Sequence, residues 1–443
     1  MASDYQHDLT DSNLSGPYRA MEYDDDGEPV LRVSIEKVKP NSGMGSGIYN
    51  PSGNLNTGSD AFGRLRTSDP VTLFEASHVG GSNGKFYSVL TGAGAVDYDD
   101  NLSAAILTAD GSGGYAGVVH RSKRRMSYQP GKSLLVMITF VMSGVTNGVV
   151  QSAGYYDDND GIYLFNNQGE LNIVKRSSAS GSIVNTSIAQ ADWNVDKLDG
   201  TGKSGITLDV TKSQILFMDY EWLGVGSVRT GFVIDGQFIV AHVFHNANIN
   251  PSVYMRTACL PVTVEIDSVS GESASMQFIC STVISEGGYE ARAEGKVAGT
   301  PSLAGVNVDQ AWVNLATIRI DSAYPHAIVV PSGIDILNVS NTDFEWALFV
   351  DATPSTAFAF ANPDNSEKVE VATNTVTFTN TGRRIYGGYM GGKTSPVAIG
   401  DGALSWDNQL GRRSSSEYQT LTLAIRANSN SKTAAGLLKW YEV

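Results

Sequence analysis

The chain has 443 residues, enough for two or three domains, each with its own core. Its 31 basic and 46 acidic residues give a formal net charge of −15, a field that repels phosphate backbones and excludes a general nucleic-acid binder. Apolar residues make up 41% and charged ones only 17%, so Ser, Thr, Asn, Gly or partner subunits must cover much of the surface.

The opening "MASDYQHDLTDSN" is polar throughout and does not read as a signal peptide. The longest apolar run, Leu134 to Met142, falls well short of the roughly 20 residues a membrane span needs. A soluble product of a cytoplasm is expected, with no membrane and no nucleic acid among its partners. Residues 1–69 read as an extended N-terminal arm and linker. Within it "EPVLRVSIEKV" alternates as one strand, and "NSGMGSGIYNPSGNLNTGSD" holds 13 Gly, Ser or Asn among its 20 residues. Such a stretch buries too little apolar surface to offset chain entropy.

Residues 70–288 are dense in strand signals. "SLLVMITFVMSGV" reads as a strand covered on both faces. "GIYLFNN" and "LNIVKRSS" flank a turn at Asn167, Gln168 and Gly169. "VRTGFVI" and "QFIVAHVF" are joined by Asp235-Gly236, the preferred dipeptide of a type I′ hairpin. One short helix is expected, "TSIAQADW", with Thr186 as its N-cap. If the strands after Cys259 and before Cys280 pair about the turn between them, the two thiols face each other across a ladder; a reducing compartment keeps them free. Residues 289–309, rich in Gly, Ala and Ser, read as a linker. From 310 to 443 strands continue, from "AWVNLATIRI" to "GLLKWYEV". The fold class is therefore all-β: a jelly-roll-like antiparallel sandwich, then a second, smaller β-sandwich.

Several motifs resemble sites and fail on spacing. Gly224 and Gly226 lack the third glycine of a dinucleotide loop, and a strand follows where a helix is needed. "GKS" at Gly131–Ser133 and Gly202–Ser204 lacks the upstream glycine of a P-loop, Met126 and Lys197 standing there. His242 and His245, three apart on a strand, point to opposite faces. The acidic turns at Tyr23–Glu28, Asp97–Asn101 and Tyr155–Gly161 read as surface turns, with an irregular calcium site as the alternative; the last, set on the EF-hand template, puts Tyr156 and Asn167 where carboxylates belong. "RSKRR", Arg121–Arg125, reads as a solvated basic cluster, the alternatives being a contact for an acidic turn of a neighbouring subunit or for an anionic surface. The sharpest enzymatic hint is "VEIDSVSGE". Jelly-roll glucanases set three acids along one strand, and Glu265 and Asp267 match two, but Val269 and Ser270 stand where the third belongs and Glu272 comes too late. The expectation is no catalytic residue, no metal and no cofactor.

Five phrases, "DAFGRLRTSDPVTLFEA" (60–76), "RRMSYQPGKS" (124–133), "WNVDKLDGTGKSG" (193–205), "DYEWLGVGSVRTGFVIDG" (219–236) and "CSTVISEGG" (280–288), together resemble virion-associated structural proteins of tailed bacteriophages, marine ones especially, with relatives in large algal DNA viruses. The resemblance spans about residues 60–288. It implies a virion location and other virion proteins as partners, and it carries over no binding or catalytic residues. The resulting expectation is a non-enzymatic tail fibre, spike or tail adaptor, anchored by its arm, with host attachment through a surface glycan as a candidate role. Its low charge content suits subunit contact, hence a homo-oligomer, expected as a trimer. The alternatives are a capsid decoration or head-fibre protein, and a polysaccharide-binding or degrading jelly roll.

Overall fold

The computed structural model describes residues 69–443 apart from 270, 290–293, 393–396, 400–407 and 443, together with the paired two-residue strands Glu22–Tyr23 and Pro29–Val30. The rest of the expected arm, including the turn after Tyr23 and most of "EPVLRVSIEKV", lies outside the described residues. The chain from Val71 to Glu286 forms two antiparallel sheets. The seven-stranded sheet runs, edge to edge, Val184–Ala189, Glu170–Ser177, Gly161–Asn167, Val149–Tyr156, Val262–Ser268, Ala116–Ser122 and Phe86–Thr91. The eight-stranded sheet runs Gln237–Phe244, Val228–Ile234, Gln214–Tyr220, Ser133–Val141, Ser273–Glu286, Ala104–Asp110 and Gly94–Asp99, with Val71–Ser77 pairing beside the C-terminal half of Ser273–Glu286.

The alternation of these strands builds one core between the sheets. Leu107, Val136, Ile138, Phe140 and Phe278 come from one layer and Tyr155, Ile162, Leu164, Val264 and Ile266 from the other, all buried. Ser133–Val141 is central and covered on both faces, as its uncharged sequence predicts: Leu135 also joins Phe217, Val240 and Val243 in an outer cluster. Asp235 and Gly236 sit at φ 52° and 73° and close the hairpin that pairs Ile234 with Gln237.

From Glu294 onward a smaller sandwich follows. One sheet runs Glu294–Gly299, Lys432–Glu442, Val329–Asn338 and Val397–Ile399, with Val306–Val308 also on Lys432–Glu442. The other runs Val369–Ala372, Val313–Ile320, Thr420–Ala427, Phe344–Val350 and Arg383–Met390. Trp440, Leu315, Leu348, Leu423 and Ile334 fill the space between. The two sandwiches meet along residues 409–412, where Gln409 Nε2 donates to the Arg125 carbonyl at 2.8 Å and Arg412 N donates to the Lys123 carbonyl at 2.7 Å.

Three expectations need correction. "TSIAQADW" is not a helix: Val184–Ala189 is an edge strand paired with Asn172–Ser177, and only Gln190–Asp192 makes a single 3₁₀ turn. The β-branched Val184, Thr186 and Ile188 in alternation favour the pleated edge over a helix. Within residues 289–309, two stretches are strands of the second sandwich rather than linker, because the long last strand offers them a complete ladder. The cysteines do not face each other. Val262–Ser268 and Ser273–Glu286 lie in opposite sheets, so the turn between them crosses the sandwich; Cys259 Sγ receives Tyr128 N and Cys280 Sγ lies 3.4 Å from Thr139 Oγ1.

Candidate functional site

Strand register decides which side chains share the outward face of the seven-stranded sheet. Glu265 stands opposite Ser152, which stands opposite Phe165. One row along, Asp267 is opposite Val150 on one side and Gly117 on the other. In the other direction Gly154 is opposite Tyr163, followed by Val174 and Ser187. These rows line an open hollow of about 310 Å³, closed at one end by Arg176 and Asn185.

The two glycines give the site its shape. A Cβ on Gly117 would collide with Asp267 Oδ1, and one on Gly154 with the Tyr163 side chain. The missing side chains let the Asp267 carboxylate lie across its neighbour strand, where Tyr115 donates to Oδ1 at 2.6 Å. That hydrogen bond, helped by partial burial and the nearby Asp267 and Glu265 charges, pushes the Tyr115 hydroxyl up to about 12.

Glu265 is more enclosed. The Tyr156 hydroxyl donates to its Oε2 at 3.0 Å. Burial, then the charge of Asp267, raise its pKa above the usual carboxylate value, against the opposing pull of the Tyr156 hydrogen bond, Arg121 and Arg176. Tyr156 and Tyr163 stack at 4.3 Å between ring centroids. The Arg176 guanidinium lies 5.1 Å from the Tyr163 ring and 5.5 Å from that of Tyr156, and donates to the Tyr163 hydroxyl, the Asp157 carbonyl and Asn185 Oδ1. A fork held by three acceptors is a fixed wall.

The hollow thus offers two carboxyl acceptors, hydroxyl and amide donors, and apolar ring surface. The strand carries no third acid. Val269 lies past its end, half exposed beside the Gly148 turn, with the Glu272 side chain beside the same turn. Of the residues expected from sequence, Glu265 and Asp267 do come together; Tyr115, Tyr156, Tyr163 and Arg176 were missed. Alternation in "GIYLFNN" places Tyr163 and Phe165 on one face, but only the strand order reveals that this face also holds Glu265.

The other motifs resolve into structure. The basic cluster and the Tyr155–Gly161 turn are each other's partners: Arg125 pairs with Asp157 at 2.6 Å and Arg121 with Asp158 at 2.9 Å. Asp157 Oδ1 also accepts from the N–H groups of Asn159 and Asp160, and Asp160 from Ser178 and Arg256. Asp99 Oδ1 caps its own turn through the N–H groups of Asn101 and Leu102. Gly224 and Gly226 shape a turn closed by Val225 and Gly226 N–H groups on the Trp222 carbonyl. Gly131 precedes a central strand, while the 202–204 loop is tied to Asp196 through Ser204 N at 2.7 Å. His242 is buried against Phe244 and accepts from Asn194 N, whereas His245 is exposed beside Ser227. Among the described residues no group of three or more His, Cys, Asp or Glu is placed to hold a metal ion, and no helix is long and apolar enough to cross a membrane.

No family model and no curated protein matches the chain. Solved structures similar to it include a beta-1,3-glucanase from Mycobacterium marinum, 11% identical with a TM-score of 0.34, which covers 48% of this chain and 98% of its own. The carbohydrate recognition domain of Emp47p is 13% identical with a TM-score of 0.32, over 49% of this chain and 97% of that one. A carbohydrate esterase from Shiga toxin-encoding bacteriophage phi24B is 11% identical with a TM-score of 0.29, over 49% and 99%.

Proposed function

We propose that the chain is a non-enzymatic structural protein of a virus particle that presents its two β-sandwiches outward, and that the hollow over the seven-stranded sheet binds a saccharide. The virion assignment rests on the sequence phrases between residues 60 and 288. The binding assignment rests on the hollow itself, above all on Glu265 and Asp267, two residues apart on one face and flanked by the Tyr163 and Phe165 rings. Sugars present hydroxyls on their edges and apolar C–H faces, so acceptors beside ring surface suit them.

The non-enzymatic reading is supported by what the strand lacks: of the three acids that jelly-roll glucanases set along one strand, only Glu265 and Asp267 are present. Glycoside cleavage with retention needs one carboxyl to attack and another to protonate the leaving oxygen from the opposite side. Here the position after Asp267 in the alternation is Val269, and Asp267 is drawn sideways over Gly117 by Tyr115.

The full chain, applied to arrays of β-glucans and bacterial envelope polysaccharides, is expected to bind without releasing reducing sugar. A hydrogen bond to a charged group contributes about 1.5–3 kcal/mol, so Asp267→Ala should weaken that binding at least about tenfold. Reducing sugar released by the wild type and abolished by Glu265→Gln would overturn the non-enzymatic reading. Electron microscopy of particles labelled on this chain tests the virion part: label on tail or capsid is the expected result, and label on neither refutes it.

A further inference from the structure

The C-terminal sandwich carries a second hollow, of about 470 Å³, on its sheet beside the Arg383–Met390 edge strand. We infer that it is a second saccharide-binding site, independent of the first. Register sets Tyr389, Glu345 and Arg426 side by side in one row across three strands. Phe344 and Met390, in the next row, border the hollow at the strand ends while their side chains are buried in the core of the sandwich.

The row is preorganised. Glu345 accepts from Arg384 at 2.7 Å and from Arg426 at 2.8 Å, so two guanidinium groups hold one carboxylate. Those groups keep its pKa low despite the opposing cost of desolvation, and the same two cations pack over the Trp312 ring at 5.8 Å and 4.9 Å. Arg384 can reach Glu345 because Gly387 has no side chain; a Cβ there would collide with the guanidinium. The next row, Gly387, Ala347 and Ala424, is built of small residues.

On this fixed base stands one large unsupported ring. Tyr389 is 83% exposed, whereas more than half of the aromatic residues whose burial is described are buried. Around the rim, Asp343 Oδ1 accepts from Gly392 N and the Asn428 carbonyl accepts from Gln310 Nε2. That leaves Asp343 Oδ2, Asn428 Nδ2 and the Tyr389 hydroxyl without a protein partner among the described residues. Charge around the site cancels: Arg384 and Arg426 both pair with Glu345, and Asp343 adds a second carboxylate on the rim. A neutral ligand that both donates and accepts hydrogen bonds and offers an apolar face to a tyrosine fits this chemistry, and the volume lies within the roughly 300–1,000 Å³ usual for small-ligand sites. A saccharide meets each of these conditions, whereas an anion or an apolar ligand would meet only some of them.

The test uses the full chain on a printed array of microbial polysaccharides and oligosaccharides, followed by titration calorimetry with the best oligosaccharide. Tyr389→Ala removes the exposed ring and Asp343→Asn changes the rim; neither residue supports the core. Asp267→Ala reports separately on the first hollow. The expected result is that Tyr389→Ala lowers affinity at the second hollow about fivefold or more for at least one array glycan, with thermal stability unchanged. Asp267→Ala should leave that binding intact. If Tyr389→Ala and Asp343→Asn bind every array glycan like the wild type, or if no glycan binds, the second site is refuted. Binding lost only with Asp267→Ala would refute the second hollow while upholding the first; the reverse pattern would refute the first alone.

Discussion

Gly117 shows how one absent side chain makes a site. The Asp267 carboxylate occupies the space its Cβ would fill, with Tyr115 on the far side. Gly117→Ala should therefore cost about 1–3 kcal/mol of stability through overpacking and displace Asp267 from Tyr115. Spectrophotometric titration of Tyr115, now held at about 12, should then show it falling toward the ordinary tyrosine value; an unchanged titration would mean the carboxylate had stayed in place. The Arg125–Asp157 pair is a second case, its side chains 10% and 2% exposed. Removing one partner of a buried pair strands the other, at about 3–5 kcal/mol, so Arg125→Ala should lower the denaturant midpoint markedly. Arg121→Ala should cost less for the ion pair itself, because the Asp158 side chain is 77% exposed. Sequence alone displayed both charge clusters but not their pairing, since Arg125 and Asp157 lie on different strands' flanks and meet only after the sheet has formed.

At the level of strands and turns, local chemistry spoke most clearly where the backbone has few options. Asp235-Gly236 named its hairpin because both positions need positive φ. A Cβ on Gly236 meets nothing within 4 Å, so Gly236→Ala should cost only the conformational penalty, about 1–2 kcal/mol. Gly231, four residues before the turn, is different. It sits at a register shift, and a Cβ there would run into the Ile239 carbonyl and approach Val240 Cα at 2.8 Å, so Gly231→Ala should be the more damaging of the two in denaturant melts. What stayed illegible was decided by pairing partners distant in sequence. Val184–Ala189 is a strand because Glu170–Ser177 offers it an edge, and Glu294–Gly299 because the last strand does. Glu265 and Asp267 were visible as a pair, but the aromatic wall facing them comes from strands 100 residues earlier and could not be assigned to their side.

Across the whole molecule, buried histidines and paired aspartates give stability the same dependence on pH. His78 and His120 lie in the core of the first sandwich with ring centroids 6.1 Å apart, packed on Phe86 and Phe278; among the described residues Nε2 of His120 has no partner. Burial, then the neighbouring His78, push His120 down to about 3, and burial lowers His78 as well. His326, beside Arg125 at the junction of the sandwiches, is lowered to about 4 by burial first and then by that cation. Above the unfolded value of about 6.5 both states are neutral and no penalty exists; below it the unfolded chain takes up protons that the folded protein refuses, so stability falls with pH. For His120 alone the difference amounts to about 1.4 kcal/mol at pH 5.5. Asp157 and Asp158, whose pKa values are lowered by Arg125 and Arg121 against desolvation, add a second loss only as pH drops below the ordinary aspartate range. Urea midpoints should therefore stay level above pH 7, decline between about 6.5 and 4, and decline again below. His326→Gln, at a half-buried position, should make the first decline shallower, His78 and His120 remaining, without changing the second. A midpoint constant down to pH 4.5 would show that these histidines take up protons as readily in the folded protein as in the unfolded chain.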